Sequence, residues 1–177
     1  MPIPVLETDR LRLRGHRTED FPASAAMWAD AVVTRYIGGQ PFAEEECWAR
    51  FLRYAGLWHH LGFGYWVVED RASRQFLGEV GLADFHRAIE PSIQGMPELG
   101  WVLSPHAQGR GVATEAVRAA LGWCDAVLGA PRTVCLIHPE NAASLRVAWK
   151  CGFHECCRTS YKGHPTVLLD RKPGPAI

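Results

Sequence analysis

The chain has 177 residues, 47% of them hydrophobic, enough for one well-buried domain and short for two. Its 19 basic side chains balance 19 acidic ones, which leaves no global electrostatic footprint for nucleic acid or an anionic membrane. No apolar run reaches membrane-spanning length, and the opening MPIPVLETDR lacks the apolar core of a signal peptide.

The cysteines are Cys47, Cys124, Cys135, Cys151, Cys156 and Cys157. None forms a Cys-x-x-Cys pair or a Cys/His set with zinc-like spacing, so no metal site is expected. Cys124 and Cys135 lie in apolar runs and read as small core residues. Cys156 and Cys157 on a strand would point to opposite faces. A reducing cytoplasm is the simplest reading.

In chain order, Val5 to Arg14 comes first, with Leu11 and Leu13 alternating against Arg10, Arg12 and Arg14. Period two predicts a half-buried strand whose arginine face is most simply read as solvated. Thr18 fits the N-cap of a helix over Glu19 to Ala31, apolar at Phe21, Ala25, Trp28 and Val32. Gly38-Gly39 breaks the chain. A second helix, Ala43 to Leu61, places Glu44, Glu45 and Glu46 at its positive end and carries an aromatic-rich face including Trp48 and Trp58. His59 and His60 point about 100° apart on a helix and read as polar end groups rather than a chelating pair.

Gly64 to Asp70 and Gln75 to Phe85 are β-rich runs joined by the hairpin Arg71-Ala72-Ser73-Arg74. Gly78 and Gly81 within the second run mark a bulge or room for a ligand. His86 to Pro97 is a polar linker, expected to be a mobile loop over the active face.

The stretch Glu98 to Glu115, ELGWVLSPHAQGRGVATE, organises the rest. It reads as a strand, Glu98 to Leu103, then a Ser104-Pro105 stop and a glycine-bearing loop. That loop opens a helix from about Arg110 to Leu128, amphipathic at three-four spacing and stopped by Gly129-Ala130-Pro131. The amides of Gly109 to Ala113 would sit unpaired at the positive helix end, a site for an anion and typically for phosphate. No Gly-Lys-Ser/Thr follows, and Thr114 stands where a dinucleotide fingerprint needs its third glycine. Beyond it come a buried strand (Thr133 to Ile137), Asn141 as N-cap, a helix (Ala142 to Cys151), and closing strands Phe153 to Tyr161 and Pro165 to Leu169. One domain over residues 1–172, followed by a frayed tail at 173–177, accounts for the whole chain.

The pattern Gln108-x-x-Gly111-x-Ala113 resembles the Q/R-x-x-G-x-G/A pyrophosphate loop of the GNAT superfamily of N-acetyltransferases. Asn141-Ala-Ala-Ser144 followed by Lys150-Cys-Gly152-Phe153 resembles the family's second signature. The opening LETDRLRLR is similar to that of the branch that acetylates ribosomal-protein N-termini. The resemblance implies an α/β, single-domain, mixed and splayed β-sheet flanked by helices, with acetyl-CoA as co-substrate wedged beside the strand Glu98 to Leu103. The pantetheine arm would pair with Trp101, Val102 and Leu103. The pyrophosphate would rest on Gly109, Arg110, Gly111, Val112 and Ala113, with Gln108 and Thr114 adding side-chain contacts, and Asn141 would reach the pantetheine or acyl end.

Acyl transfer to an amine needs a neutral nitrogen, a polarised thioester and a leaving thiolate. An α-amine ionises near about 7.7–8.0 and an alkylamine near about 10.4, so a base matters more for the second. Glu98 is the candidate base, and the Val102 amide the candidate oxyanion donor. Many family members carry a tyrosine acid where this chain has Ala148, so the role cannot be transferred. Ser144 is the substitute in that region and Tyr161 a more distant one. Tyr36, Trp58, Trp66 and Phe85 are candidates for the acceptor pocket. The expected partner is an amine-bearing small molecule or a peptide or protein N-terminus. Exposed aromatics would permit a homodimer. The rival readings are a non-catalytic acyl-CoA-binding module, kept open by the missing tyrosine, and a loop that binds some other phosphate ligand.

Overall fold

The computed structural model describes residues 2–172, so the proposed tail at 173–177 lies outside the described residues. Strands β1 (Leu6–Glu7), β2 (Leu11–Arg14), β3 (Tyr65–Asp70), β4 (Phe76–Ala83), β5 (Glu98–Leu103), β6 (Thr133–Ile137), β7 (His154–Tyr161) and β8 (His164–Arg171) form one sheet. Their order is β1-β2-β3-β4-β5-β6-β8-β7, antiparallel everywhere except between β5 and β6. The expected mixed α/β sheet is present.

Helices cover both faces. α4 (Val112–Leu128) buries Val112, Ala116, Val117, Ala120, Leu121 and Cys124 against Leu11, Leu13, Trp66, Val80, Leu82 and Leu99. α5 (Ala142–Lys150) adds Ala148 to the same core. On the opposite face lie α1 (Phe21–Trp28), α2 (Ala31–Thr34) and α3 (Glu44–Leu61), which bury Met27, Trp28, Val33 and Cys47 against Val102, and Tyr54 and Leu57 against Tyr65 and Ala83.

Several boundaries differ from the sequence reading. The first helix divides because Asp30 accepts the Val32 and Val33 amides at 2.8 and 3.3 Å and so starts α2 as a separate turn. Thr18 opens only a 3₁₀ turn, Thr18–Asp20, which leads into α1. The arginine face of β2 is not solvated. Arg14 is 8% exposed and bonds Asp20 through both terminal nitrogens and Glu69 through Nε. Arg12 and Arg74 also bond Glu69. Burial pushes the Asp20 and Glu69 carboxyls up, but the guanidinium bonds outweigh it and hold both below their ordinary values.

The feature that positions the site is the parting of β5 from β6. They share one register pair, Glu98 with Val134, beside a bond of 3.1 Å from the Val134 amide to the Pro97 carbonyl. Beyond it β6 continues on β8 alone, and β5 on β4 alone. In an antiparallel ladder bonded pairs recur at every second residue. The Ser104 amide bonds the Leu77 carbonyl on β4, so Gly100 and Val102 also turn their backbone groups to β4. Leu99, Trp101 and Leu103 turn theirs to the opening.

Candidate active site

The opened edge of β5 forms one wall of a groove of about 500 Å³ that runs to the start of α4. Gly109 and Gly111 hold φ of +72° and +76°, a region L side chains rarely adopt. Because Gly111 is itself left-handed, α4 begins at Val112, two residues later than the sequence suggested. The loop is braced from behind. Arg10 Nη1 donates to the Arg110 carbonyl at 3.0 Å, and Glu115 accepts from Thr8 Oγ1 at 2.6 Å and Arg10 Nε at 2.7 Å. Every other residue expected to hold the coenzyme lines the groove; Arg110 does not.

Polar groups at the groove have defined positions. Gln108 Nε2 donates to the Leu103 carbonyl at 3.2 Å, which ties the loop to the end of β5. Asn141 Oδ1 accepts the Ser144 amide at 3.1 Å and caps α5. Asn141 and Ser144 line both the groove and an adjoining cavity of about 210 Å³. Val102 is placed differently from the expectation: its amide faces β4, and its side chain packs on Met27 and Trp28. It therefore cannot hold an oxyanion in the groove, and the amides that face it are those of Trp101 and Leu103.

The adjoining cavity includes Tyr36 and Phe85, as anticipated, but not Trp58 or Trp66. Trp66 is fully buried on the α4 face, where it meets Trp58 at 4.8 Å and Trp123 at 5.2 Å between ring centroids. Trp58 packs in the same cluster and donates Nε1 to the Tyr65 carbonyl at 2.9 Å. Strand alternation explains the correction: Tyr65, next in sequence, faces the cavity instead. Its hydroxyl fills the place where a Gly100 Cβ would stand, so a side chain there would force the Tyr65 ring to shift. Burial, with Glu98 nearby, pushes the Tyr65 phenol well up, and it stays protonated.

Trp28, Arg50, Arg87 and His138 also line this cavity and were not anticipated. Tyr36 stacks on His138 at 5.3 Å. His138 Nδ1 accepts the Glu140 amide at 3.2 Å, so a neutral ring carries its proton on Nε2 and presents a donor. Arg87 binds both oxygens of Glu98, at 2.6 and 2.8 Å, and Glu98 is 6% exposed. Burial opposes the Arg87 charge, but its bonds to Glu98 outweigh that and push its pKa up. Arg87 lies in the linker expected to be a mobile loop. That linker is pinned: Ile89 and Ile93 are buried against Val134 and Leu168, and Thr159 Oγ1 bonds the Glu90 carbonyl at 2.7 Å.

Behind the cavity wall, Glu79 is fully buried on β4. It accepts from Ser24 at 2.6 Å, Tyr54 at 2.7 Å and Trp28 Nε1 at 3.0 Å, and lies 3.3 Å from His16 Nε2. Burial raises its pKa, but the bonds from His16, Ser24 and Tyr54 reverse the direction and hold it ionised. No cluster of His, Cys, Asp or Glu suited to a metal occurs among the described residues.

A sheet parted at one strand pair, above a glycine-opened helix start, offers unpaired backbone groups to an extended ligand that carries phosphate. A sequence model for the acetyltransferase (GNAT) domain matches residues 10–154, and the chain belongs to that family. It is 29% identical over 156 residues to the uncharacterized N-acetyltransferase YoaA of Bacillus subtilis, covering 86% of this chain and 84% of that one. A Bordetella pertussis protein assigned to the GnaT family of acetyltransferases has 32% identity and a TM-score of 0.84, covering 95% of this chain and 99% of its own. Two more distant structures share the fold. Spermidine N-acetyltransferase from Vibrio cholerae, solved with CoA and spermine, has 19% identity, coverages of 93% and 96%, and a TM-score of 0.73. The ribosomal L7/L12 α-N-protein acetyltransferase RimL has 18% identity, coverages of 97% and 95%, and a TM-score of 0.77.

Proposed function

We propose that the protein transfers the acetyl group of acetyl-CoA to a primary amine by direct attack of the nitrogen on the thioester. The acceptor is a small-molecule amine or a peptide or protein N-terminus. The observation that carries this reading is the unpaired edge of β5, which runs from the glycine loop directly to the cavity holding Glu98. Backbone groups left unpaired in a sheet require partners. An amide-bearing pantetheine arm supplies them to Trp101 and Leu103, while the amides of Gly109 to Ala113 receive the pyrophosphate. With the arm on the Leu103 amide and the Trp101 carbonyl, the Trp101 amide, rather than that of Val102, is left to hold the oxyanion.

Glu98 accepts the amine proton through a water. Arg87 occupies one lone pair on each of its oxygens, and each oxygen has a second. Ser144, at the start of α5, returns a proton to the thiolate, which is itself a fair leaving group near its pKa of about 8.5. Six free thiols, four of them buried, suit a reducing cytoplasm.

The test is calorimetric titration of acetyl-CoA, followed by thiol release with a panel of amines. Micromolar binding and amine-dependent release of coenzyme A support the reading. A second reading, a module that binds acyl-CoA without turnover, draws on Ala148, buried where many relatives in the superfamily carry a tyrosine acid. Binding without release of thiol with any amine would establish it.

A further inference from the structure

The charges around the acceptor cavity do not cancel. Arg87 is matched by Glu98 in a two-bond ion pair. Arg50, on α3, lines the same cavity and has no such partner. None of the ion pairs among the described residues involves it. Its Nε is buried with no hydrogen-bond acceptor. Two carboxylates could be expected to meet it, and both are otherwise engaged: Glu79 on β4 accepts from Ser24, Tyr54 and the edge of the Trp28 indole beside His16, and Glu46, one turn earlier on α3, accepts the Ala43 amide. Arg53 brings a further guanidinium, whose charge is disfavoured by burial and then by Arg50.

Arg50 is nonetheless held in place. Its guanidinium lies 4.0 Å above the centre of the Trp28 ring and 4.9 Å from that of Phe42. Stacking of this kind uses the flat face of the guanidinium and leaves its in-plane N–H donors free. The buried Nε is closed to a ligand as it is to water, but no ion pair among the described residues takes up the terminal nitrogens, and a guanidinium at a cavity is normally satisfied by a partner or ligand. The ligand group that matches a guanidinium fork in shape and charge is a carboxylate. The cavity of about 210 Å³ shares Tyr36, Arg87, Glu98 and His138 with a further cavity of about 470 Å³, so Arg50 stands at one end of a continuous acceptor space.

We propose that Arg50 binds a carboxylate on the acceptor, so that the enzyme acetylates amino acids rather than polyamines or uncharged amines. The inference rests on the acetyl-transfer reading of the same cleft and names its substrate class. In the reaction the amine nitrogen bonds to the acetyl carbon and the C–S bond breaks. The proton lost by nitrogen passes by way of Glu98 and water, and the thiolate takes up a proton to leave as coenzyme A thiol. Arg50 anchors the far end of the acceptor while Glu98 faces the amine.

The experiment measures thiol release from acetyl-CoA by the full chain, with matched sets of α-, β- and ω-amino acids, their carboxamides, and spermidine. A neighbouring carboxylate favours the ammonium form of an amine, so intrinsic reactivity favours the carboxamides. A preference for acids must therefore come from the site. The expected result is a kcat/KM at least about 10-fold higher for the best acid than for its carboxamide, the scale of one charge-assisted bond. Arg50→Met keeps the apolar stem and should collapse that acid-over-amide ratio towards one, with Arg50→Lys restoring part of it. If the variant fails to fold, competition in the parent decides: carboxylic acids without an amine should inhibit, and their carboxamides should not. Carboxamides or spermidine used as well as acids, no acid acetylated, or a ratio unmoved by Arg50→Met each overturn the proposal. If acetyl-CoA binds and other amines react, only this inference falls. If acetyl-CoA does not bind, the acetyl-transfer reading falls with it.

Discussion

The two halves of the cleft are built from different materials. The coenzyme side is made of backbone: an unpaired strand edge, left-handed glycines and a helix start, all within residues 98–115. The acceptor side is made of side chains from α1, α3, β3, the 86–97 linker and β6, brought together only by the fold. Backbone recognition demands particular residues chiefly where a side chain would obstruct, whereas side-chain recognition demands particular residues everywhere. The first should respond to a change of shape in one loop, and the second to loss of single charges.

The sharpest way to break that division is at Glu79, which underlies the acceptor wall without reaching a ligand. Glu79→Ala strands three donors, Ser24, Trp28 and Tyr54, and removes the partner of His16. Disrupting a buried charged network by deleting one member costs about 3–5 kcal/mol. The expected outcome in denaturant unfolding is a large fall in midpoint with the slope unchanged. A loss under about 1 kcal/mol, the scale of one ordinary hydrogen bond, would show that the network is not holding α1 and α3 to the sheet.

Next in size is the coenzyme side. Gly111→Glu puts a side chain on a residue at φ +76°, which costs roughly 1–2 kcal/mol, and adds an anion beside the proposed phosphate seat. Together these should weaken acetyl-CoA by more than about 100-fold by calorimetry, equivalent to about 2.7 kcal/mol. Retained affinity would mean that the loop does not contact phosphate. Glu98→Gln should lower kcat by about 100-fold, at the lower end for a general base, with acetyl-CoA affinity little changed. Glutamine still accepts from Arg87, so an unchanged melting temperature would separate lost basicity from a broken ion pair. An unchanged kcat would remove Glu98 from the chemistry.

The same division decides what the sequence could reveal. The coenzyme side was readable because glycine spacing, a proline stop and an amphipathic run are local and contiguous. Of the residues expected there only Arg110 does not line the groove, and the brace from Arg10 to its carbonyl comes from a hundred residues away in sequence. The parting of β5 and β6 came from family resemblance, as no local pattern encodes it. On the acceptor side, aromatic content located the right segments but not the right phase. Trp66 was taken for Tyr65, its neighbour on the other face of β3, because β3 is buried on both faces and shows no alternation. The Val102 amide failed for a related reason: whether a strand amide faces one neighbour or the other depends on register. Arg50 sits in an unremarkable stretch of a surface helix, and only its missing partner marks it. The arginines of β2 looked solvated because Asp20 and Glu69, which bury them, lie on other elements.

The smallest effect falls on Asn141, which belongs to both sides at once. Its Oδ1 caps α5 through the Ser144 amide, while the residue lines the groove and the acceptor cavity together. Loss of the cap in Asn141→Ala should cost about 1 kcal/mol of stability whether or not a ligand is present. If Asn141 also bonds the pantetheine, the free protein will show that loss alone, and acetyl-CoA will then stabilise the variant less than the parent. Such a difference is one neutral hydrogen bond, about 0.5–1.5 kcal/mol. Asn141→Ser separates the roles further, since serine caps nearly as well but is too short to reach a ligand along the groove. A serine variant with parental stability and weakened acetyl-CoA binding would assign the side chain to the coenzyme. Parental values for both would leave it as a helix cap alone.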